Sequence, residues 1–398
     1  MKLMYLTFQE DATLYVGVIR KIGWQARAFE KLGYEVTYST YKGLDYRFIT
    51  GDKVETKTIP GGHGMMHKFS DVAREYLASH HFDVIYIRLD RISFDVIRLC
   101  KTARENGAQK VIIELPNYPY IMDYIKSVNN VKPFSKKLIA RLKVLGTAAQ
   151  DRFSALRLRG LVDAVVLIGN HADSFFGVKA INISNGIDVG AMSIVPAKKN
   201  EDEIVIVGVA GTLWWQAYDR ILVGMYQYKQ TKKEKDPKIR FILVGGDAKE
   251  MPDFRALIHK YGLDEDVECP GFKTGSELDA IYDRADLGAS KLGCYRRGLQ
   301  ACSSLKAREY CAKGLPFLYT YEDSIENEQV DFALQVSNDD TPINMDEVIQ
   351  FVRRCRLNRE LSEKEREFAR SHFDWEAILK RVLDFAGSAN QGRKNIGG

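Results

Sequence analysis

The residues best suited to bind a phosphorylated ligand are concentrated in the segment 286–320. This segment offers guanidinium, hydroxyl, ammonium and carboxylate groups, in the order Arg296, Arg297, Ser304, Lys306 and Glu309. Cations and hydroxyls at the beginning of a helix can bind a diphosphate, because unpaired amide groups in the first turn add positive potential. The carboxylate one turn further along can accept hydrogen bonds from ribose hydroxyls. The pattern predicts a nucleoside diphosphate site, with a solvated basic helix as the alternative.

Two further candidates lie in the first half of the chain. Gly17 stands where a turn leads into an amphipathic helix, and a glycine there lets backbone N–H groups approach a phosphate. A structural turn is the alternative, because the GxGxxG fingerprint is absent. Glu114 ends a strand, where a carboxylate can orient or deprotonate a substrate hydroxyl. A glutamate that only ties down the following loop is the alternative.

Several other kinds of site are not expected. The string Asp264-Glu265-Asp266 has the spacing of a metal-binding motif, but it falls in a helix-to-strand loop and is predicted to be solvated, so no metal is assigned. The six cysteines form no CxxC pair and no cysteine–histidine spacing of a zinc site, which favours buried free thiols. A formal charge of +5 is mild, and the chain lacks the dense basic stripe of a nucleic-acid-binding protein.

The elements that must position these residues read as two α/β domains. A chain of 398 residues usually forms two domains, and apolar runs alternate with helical patterns on both sides of a break near residue 185. In the first half these runs are Leu3 to Phe8, Glu35 to Thr40, Asp83 to Ile87, Lys110 to Leu115 and Asp163 to Ile168. In the second half they include Glu203 to Gly211, Arg240 to Gly245, Val267 to Cys269 and Gly314 to Thr320. Such alternation predicts parallel sheets covered on both faces.

We therefore predict a Rossmann-like domain at 1–185, a second at 186–374, and a C-terminal helix at 375–390 that packs back on the first domain. In open α/β sheets, ligands bind outside the carboxyl ends of the strands. The chemistry is accordingly expected in a cleft that the two domains face.

One segment also resembles a known family. The run SSLKAREYCAKGLPF is similar to the donor-binding segment of family-4 glycosyltransferases, in which a glutamate, a small apolar stretch, glycine and proline precede a strand. The matching positions are Glu309, Gly314 and Pro316. Further similar segments occur in the same order and spacing over nearly the whole chain: GVIRKIGWQARAFEKLGYEV, IIELPNYPY, FFGVKAINISNGID, YDRILVGMYQY, GSELDAIYDRADL and the late Asp374-Trp375 pair.

The resemblance implies a GT-B fold, with a nucleotide-sugar donor held mainly by the second domain and an acceptor held mainly by the first. By position, Glu309 would bind the donor ribose, while Lys306 with Ser304 and Arg297 would neutralise the diphosphate. Gly17 would supply close backbone approach from the first domain.

Two positions depart from the family pattern. Ala301 stands eight residues before Glu309, where many relatives have a second glutamate, and Gln216 stands where a lysine is frequent. Neutralisation of the diphosphate would then depend on Lys306 and on Arg296 and Arg297.

The resemblance implies a hexosyltransferase-type enzyme that retains anomeric configuration and needs no metal or other cofactor. Its donor would be a nucleotide sugar, with UDP the preferred carrier, and its acceptor a glycan or a polyprenyl-lipid-linked sugar. Its place would be in capsule, exopolysaccharide or lipopolysaccharide biosynthesis. The alternatives are a noncatalytic sugar-nucleotide-binding partner protein and a nucleotide-sugar epimerase of the same fold.

The segment 132–159 predicts a contact with a membrane surface. It holds eight lysines or arginines against one aspartate, and apolar residues recur in it at helical spacing. Such a helix can lie on anionic lipid, and the alternative is a helix packed on the sheet with solvated charges. Without a signal peptide or a long apolar run, the chain is expected in the cytoplasm, in part at the inner face of the membrane.

Overall fold

The computed structural model describes residues 1–12, 15–62, 64–118, 134–169, 171–197, 201–211, 214–246, 251–322 and 330–394. The chain divides into two compact units. The first unit comprises Met1–Ser184 together with Trp375–Gly398, and the second comprises Asn185–Asp374.

The described strands are β1 Lys2–Thr7, β2 Glu35–Lys42, β3 Asp45–Thr50, β4 Lys53–Thr58, β5 Val84–Arg88, β6 Lys110–Tyr118, β7 Ala164–Gly169, β8 Ser174–Phe175, β9 Val178–Asn182, β10 Glu203–Val209, β11 Lys238–Val244, β12 Val267–Gly271, β13 Leu287–Ala289, β14 Phe317–Tyr319 and β15 Ala333–Gln335.

The described helices are α1 Val16–Lys31, α2 Met65–Ser79, α3 Phe94–Glu105, α4 Phe134–Ala155, α5 Asp219–Thr231, α6 Met251–Lys260, α7 Gly275–Tyr282, α8 Leu305–Ala312, α9 Met345–Leu357, α10 Leu361–His372 and α11 Trp375–Lys394. Three short 3-10 turns, Val189–Ala191, Trp214–Gln216 and Tyr295–Arg297, lie in the second unit.

The first unit is built on a nine-stranded sheet in the order β4-β3-β2-β1-β5-β6-β7-β9-β8. The neighbouring strands β2-β1-β5-β6-β7-β9 within this sheet are parallel to one another. The central strand β1 is buried on both faces, since residues 3–6 have no exposed surface. This is the burial expected of a parallel sheet covered by crossover helices. The last helix, α11, packs against α1, β6 and β7 of this unit.

The second unit is built on a six-stranded parallel sheet in the order β12-β11-β10-β13-β14-β15. The strand order reverses its direction between β10 and β13, and the segments that follow these two strands carry the candidate donor-binding residues. At such a reversal the connecting loops diverge and leave room for a ligand.

The two-Rossmann α/β architecture predicted from the sequence is confirmed, and each predicted apolar run contains or overlaps a strand. The antiparallel hairpin of β3 and β4 at one edge of the first sheet was not predicted. Five of the six residues of β4 are exposed, so this strand has little hydrophobic pattern from which to predict it.

Candidate functional site

The second unit contains two lysines whose positive charges lie close together. Lys306 is in the first turn of α8, and Lys291 follows β13. The Lys306 ammonium group donates to Gln216 Oε1 at 2.6 Å and to the Tyr218 hydroxyl at 3.4 Å, both neutral acceptors. Neither lysine forms a salt bridge within the described parts of the chain. Burial and the charge of Lys291 lower the pKa of Lys306 from 10.5 to about 7.

The backbone around this lysine pair is fixed by close packing with the 3-10 turn Trp214–Gln216. The Leu292 amide donates to the Gln216 carbonyl at 3.1 Å. A Cβ at Gly293 would lie 2.6 Å from the Trp215 carbonyl oxygen, so only glycine allows the two segments to approach so closely. The loops after β10 and β13 therefore hold Gln216 and Lys291 in a defined arrangement.

Ser304 is the residue immediately before α8, and its side chain does not cap the helix. Its hydroxyl instead accepts from the Ser290 hydroxyl at 3.1 Å, and Ser290 also contacts the Tyr321 hydroxyl at 2.8 Å. These buried hydroxyls connect the end of β13 to the beginning of α8. The helix dipole and the amide groups of its first turn thus add to the positive potential of the lysines.

Arg296 lies in the 3-10 turn Tyr295–Arg297, with its charge already compensated. Its guanidinium donates to Asp219 at 2.8 and 2.9 Å, to Asp340 at 2.9 Å and to the Trp214 carbonyl at 2.7 Å. With these partners the Arg296 guanidinium stabilises the loop, and its charge is already balanced by two carboxylates. Its assignment to a diphosphate stays a prediction that would require these ion pairs to rearrange.

Arg297 and Glu309 differ from Arg296 in their surroundings. Arg297 is exposed, stacks at 5.9 Å on the Trp215 ring, and has no salt bridge within the described residues. Glu309 is partly buried on α8, next to Tyr282, and burial together with the Glu309 charge raises the pKa of that tyrosine well above 10. Both remain compatible with the ligand contacts predicted for them.

Glu114 belongs to a buried polar cluster in the first unit. It has no exposed surface and accepts hydrogen bonds from Gln25 and Tyr86 at 2.8 Å and from Arg88 at 2.5 Å, while Lys21 lies 3.5 Å away. Despite the opposing effect of burial, Lys21 and Arg88 lower the pKa of Glu114 to about 2. Such a carboxylate is a weak base and is closed to solvent. Its catalytic role stays a prediction that these surroundings do not favour.

Gly17 lies in the first turn of α1, on the surface of the first unit. A Cβ added there would meet no described heavy atom within 4 Å, so packing alone does not require a glycine. The role predicted for this position, close approach of a ligand to the backbone, stays a prediction.

The structure thus brings Lys306, Ser304 and Arg297 to the neighbouring loops of one unit, with Glu309 one turn along α8. Gly17 and Glu114 lie in the other unit. Sequence reasoning missed Lys291 in this site. The signal was present, because Lys291 is the first cation after a buried strand, at the edge where ligands bind. No group of three metal-binding side chains suited to an ion occurs among the described residues.

No protein-family model matches the chain, and no curated protein matches its sequence. Solved structures do match. Sucrose-phosphate synthase from Thermosynechococcus elongatus is 14% identical, with a TM-score of 0.57, 100% of this chain and 99% of that chain covered. The catalytic domain of starch synthase IV from Arabidopsis thaliana, bound to ADP and acarbose, is 11% identical, with a TM-score of 0.58 and coverages of 98% and 99%. The lipopolysaccharide outer core galactosyltransferase WaaB is 9% identical, with a TM-score of 0.56 and coverages of 96% and 99%. At these identities the similarity shows the fold, and the chain has the GT-B fold that its sequence predicts.

Proposed function

We propose that this protein is a family-4 retaining glycosyltransferase that transfers a sugar from a nucleotide diphosphate to a glycan or lipid-linked acceptor, without a metal. The observation that carries the proposal is the pair Lys291 and Lys306, two basic side chains after β13 and at the beginning of α8 that form no ion pair with a carboxylate within the described residues. Placing like charges together under partial burial is costly unless an anion joins them. A nucleoside diphosphate supplies that anion.

The same pair explains how transfer would proceed without a metal. As the bond from the anomeric carbon to the diphosphate breaks, negative charge develops on the leaving oxygen. Cations and amide groups already in position stabilise that charge and lower the barrier. Glu309, on the same helix as Lys306, would accept hydrogen bonds from the donor ribose. UDP is the proposed carrier, and the ADP bound in the plant starch synthase supports the general class of ligand.

The first unit contains a cavity that would suit an acceptor. Its volume is about 530 Å³, and it lies at the carboxyl ends of β1 and β5. Polar, charged and aromatic side chains line it, among them Thr7, Gln9, Tyr41, Asp90 and Arg91. Such a mixture can hydrogen-bond sugar hydroxyls and stack on sugar rings.

We further propose that the acceptor is displayed at a membrane, because α4 exposes several large apolar side chains. Its large residues Leu142 and Leu145 are 60% and 65% exposed, and Phe153 is 62% exposed. Among the side chains of this helix that the structure describes, the buried ones are small or polar, such as Asp151 and Ser154. This exposed apolar stripe is flanked by basic residues, which matches an anionic lipid surface. Residues 132–133 of the segment lie outside the described residues.

This helix is also connected to the cavity. Arg91, in the cavity lining, donates to Asp151 of α4 at 2.6 and 3.1 Å. A lipid-linked acceptor held at α4 would therefore have its head group near the cavity. Within the described residues no helix is long and apolar enough to span a bilayer, so the proposed contact is peripheral.

Liposome co-sedimentation tests the membrane contact. The protein should pellet with anionic vesicles more than with zwitterionic ones, and Leu142→Gln with Leu145→Gln should lower the partition coefficient at least about tenfold. Leu357→Gln, at a leucine 85% exposed on α9 of the other unit, is the matched control. Equal partition of all three proteins would contradict the contact through α4.

The transferase assignment is tested by incubating the protein with labelled nucleotide sugars and lipid or glycan acceptors, after a thermal-shift screen with UDP, GDP and ADP. Lys306→Ala and Glu309→Ala should each abolish transfer while the unfolding midpoint without ligand stays within a few degrees. Lys273→Ala, at a lysine paired with Glu277 on the surface, is the control. Binding without transfer would instead favour the noncatalytic partner protein.

A further inference from the structure

Two cations of the second unit are held by the 3-10 turn Trp214–Gln216. The Gln216 side chain accepts a hydrogen bond from the Lys306 ammonium group at 2.6 Å. The Gln216 carbonyl accepts at 3.1 Å from the amide of Leu292, the residue after Lys291. A nucleotide sugar carries two negative charges on its diphosphate, one on each phosphate group. The two lysines are therefore sufficient in number to balance the diphosphate.

Arg297 provides a third cation at the same turn. Its guanidinium lies 5.9 Å from the centroid of the Trp215 ring, and Trp215 directly precedes the glutamine that binds Lys306. Arg297 is exposed, and in the part of the chain that the structure describes it forms no salt bridge. The sequence resemblance assigned this arginine to the diphosphate without taking Lys291 into account. With both lysines available for the diphosphate, Arg297 can bind another charge of the ligand.

The carboxylates around the neighbouring turn Tyr295–Arg297 are already bound by other groups. Asp219 accepts from the Arg296 guanidinium at 2.8 and 2.9 Å, and Asp340 accepts from it at 2.9 Å. The Tyr295 hydroxyl donates to Asp340 as well. A ligand whose only charges are on its diphosphate would leave the Arg297 guanidinium to solvent. A carboxylate on the sugar would supply a counter-ion.

We propose that the donor is a nucleotide-activated uronic acid, and that Arg297 binds the carboxylate of its sugar. A guanidinium can donate two parallel hydrogen bonds to a carboxylate, and stacking on an aromatic ring restricts its orientation before the ligand binds. The sugar is joined directly to the diphosphate, so its carboxylate lies close to the charges that the lysines balance. This inference rests on the proposed function, because it names the class of sugar that the same site would transfer.

The alternative is that Arg297 contacts the diphosphate itself. Removing the arginine would then weaken the binding of every nucleotide sugar to the same extent. An arginine that binds the sugar carboxylate would instead affect only the donors that carry one. A comparison of two donors that differ at this group alone therefore separates the two roles.

Isothermal titration with UDP-glucose and UDP-glucuronic acid makes this comparison, since one has a hydroxymethyl group where the other has a carboxylate. UDP-galactose and UDP-galacturonic acid repeat it for a second sugar configuration. At pH 6.5 and low salt, wild type should bind the acidic donor of at least one pair about fivefold more tightly than its neutral counterpart, which is the upper value for an exposed ion pair.

Three variants locate the source of this preference. Arg297→Gln should remove the preference and leave the affinity for the neutral donor unchanged. Arg297→Lys keeps the charge but loses the two parallel donors, so it should retain only part of the preference. Arg359→Gln, at another exposed arginine of the same unit between α9 and α10, is the matched control and should behave as wild type.

The possible failures can be told apart. If wild type binds the neutral donor of both pairs as tightly as the acidic one, the uronic acid inference is wrong, whereas the nucleotide-sugar site stands. A preference that persists in Arg297→Gln would also overturn the inference, and an equal loss of affinity for both donors would assign Arg297 to the diphosphate. If wild type binds none of the donors, the proposed function fails and the inference fails with it.

Discussion

Lys306 is expected to take up a proton when a nucleoside diphosphate binds. Burial and the neighbouring charge of Lys291 lower its pKa to about 7 in the free protein. A bound diphosphate brings negative charge to the ammonium group and favours its protonated form. The pKa of Lys306 must therefore be higher in the complex than in the free protein, and binding must be linked to proton uptake.

The size of this effect follows from the pKa of about 7. At pH 7.5, about three quarters of Lys306 is neutral in the free protein. If the complex holds it fully charged, each bound nucleotide takes up about 0.75 protons. Between pH 8 and pH 9 nearly all free Lys306 is neutral, so the affinity should fall about tenfold, which corresponds to about 1.4 kcal/mol.

Isothermal titration of UDP between pH 7.5 and pH 9 measures both quantities, because the apparent heat changes with the ionisation enthalpy of the buffer in proportion to the protons taken up. The terminal phosphate of the ligand is already ionised in this range, since its second pKa is about 6. Lys306→Met should lose the proton uptake and the pH dependence together. Lys273→Met, which removes a lysine ion-paired with Glu277 in the same unit, should retain both.

Two results would refute this reasoning. A binding heat independent of the buffer, with constant affinity from pH 7.5 to pH 9, would mean that Lys306 does not change its protonation on binding. Proton uptake that persists in Lys306→Met would assign the titration to another group.

The remaining predictions concern the side chain of Glu114, that of Glu365 and the close packing at Gly293. Glu114→Gln should lower the free energy of unfolding by about 3–5 kcal/mol, because it leaves buried cations without their carboxylate. Chemical denaturation measures this change. A loss of stability under about 1 kcal/mol together with a loss of transfer activity would instead support a catalytic role of Glu114. In wild type, the stabilisation from Glu114 should be present above pH 4.5 and be lost as the pH falls towards its pKa of about 2. Glu365→Gln should stabilise the protein more at pH 8 than at pH 5. Burial raises the pKa of the Glu365 carboxyl well above 4.5 in the folded protein, so its ionisation at higher pH favours the unfolded state, and glutamine removes that effect. Thermal melts that show the same stabilisation at both pH values would contradict this explanation. Gly293→Ala should weaken UDP binding on the order of tenfold, because the new methyl group displaces the loop from the Trp215 carbonyl, and unchanged affinity by calorimetry would show that the loop adapts.

The fold could be predicted from the sequence because apolar strands alternating with amphipathic helices specify a parallel sheet almost directly. The runs around Leu3–Leu6 and Ile204–Val207 are buried on both faces, so they read as short, continuous hydrophobic segments. The edge strand β4 could not be predicted in the same way, because five of its six residues are exposed and it is held by pairing with β3. The strand β3 does place Tyr46 and Phe48 in the core, so its short alternating pattern was a signal that the prediction missed.

The sequence could predict that Lys306 and Glu309 lie near one another, but it could predict only some of the contacts of the candidate site. The residue types around Lys306 and Glu309 indicated a diphosphate site, and the structure places them on one short helix. The sequence could not show that Arg296 is held by Asp219, 77 residues away, or that Lys291 contacts Cys302. Such contacts depend on the tertiary arrangement of loops, which no local pattern encodes.

Gln216 departs from the family pattern, and the structure gives a physical reason for a glutamine at this position. A lysine is frequent at its position among the relatives that the sequence resembles, but here its Oε1 accepts a hydrogen bond from Lys306 at 2.6 Å. A lysine there would place a further ammonium group beside Lys306, whose pKa the charge of Lys291 already lowers. The free protein would then carry more uncompensated charge, and the pKa of Lys306 would fall further below 7. A neutral acceptor instead holds Lys306 in position, and Lys291 provides a second cation. Of the two departures from the family pattern, Gln216 is therefore compatible with diphosphate binding, whereas no contact of Ala301 among the described residues replaces the glutamate that is frequent at its position.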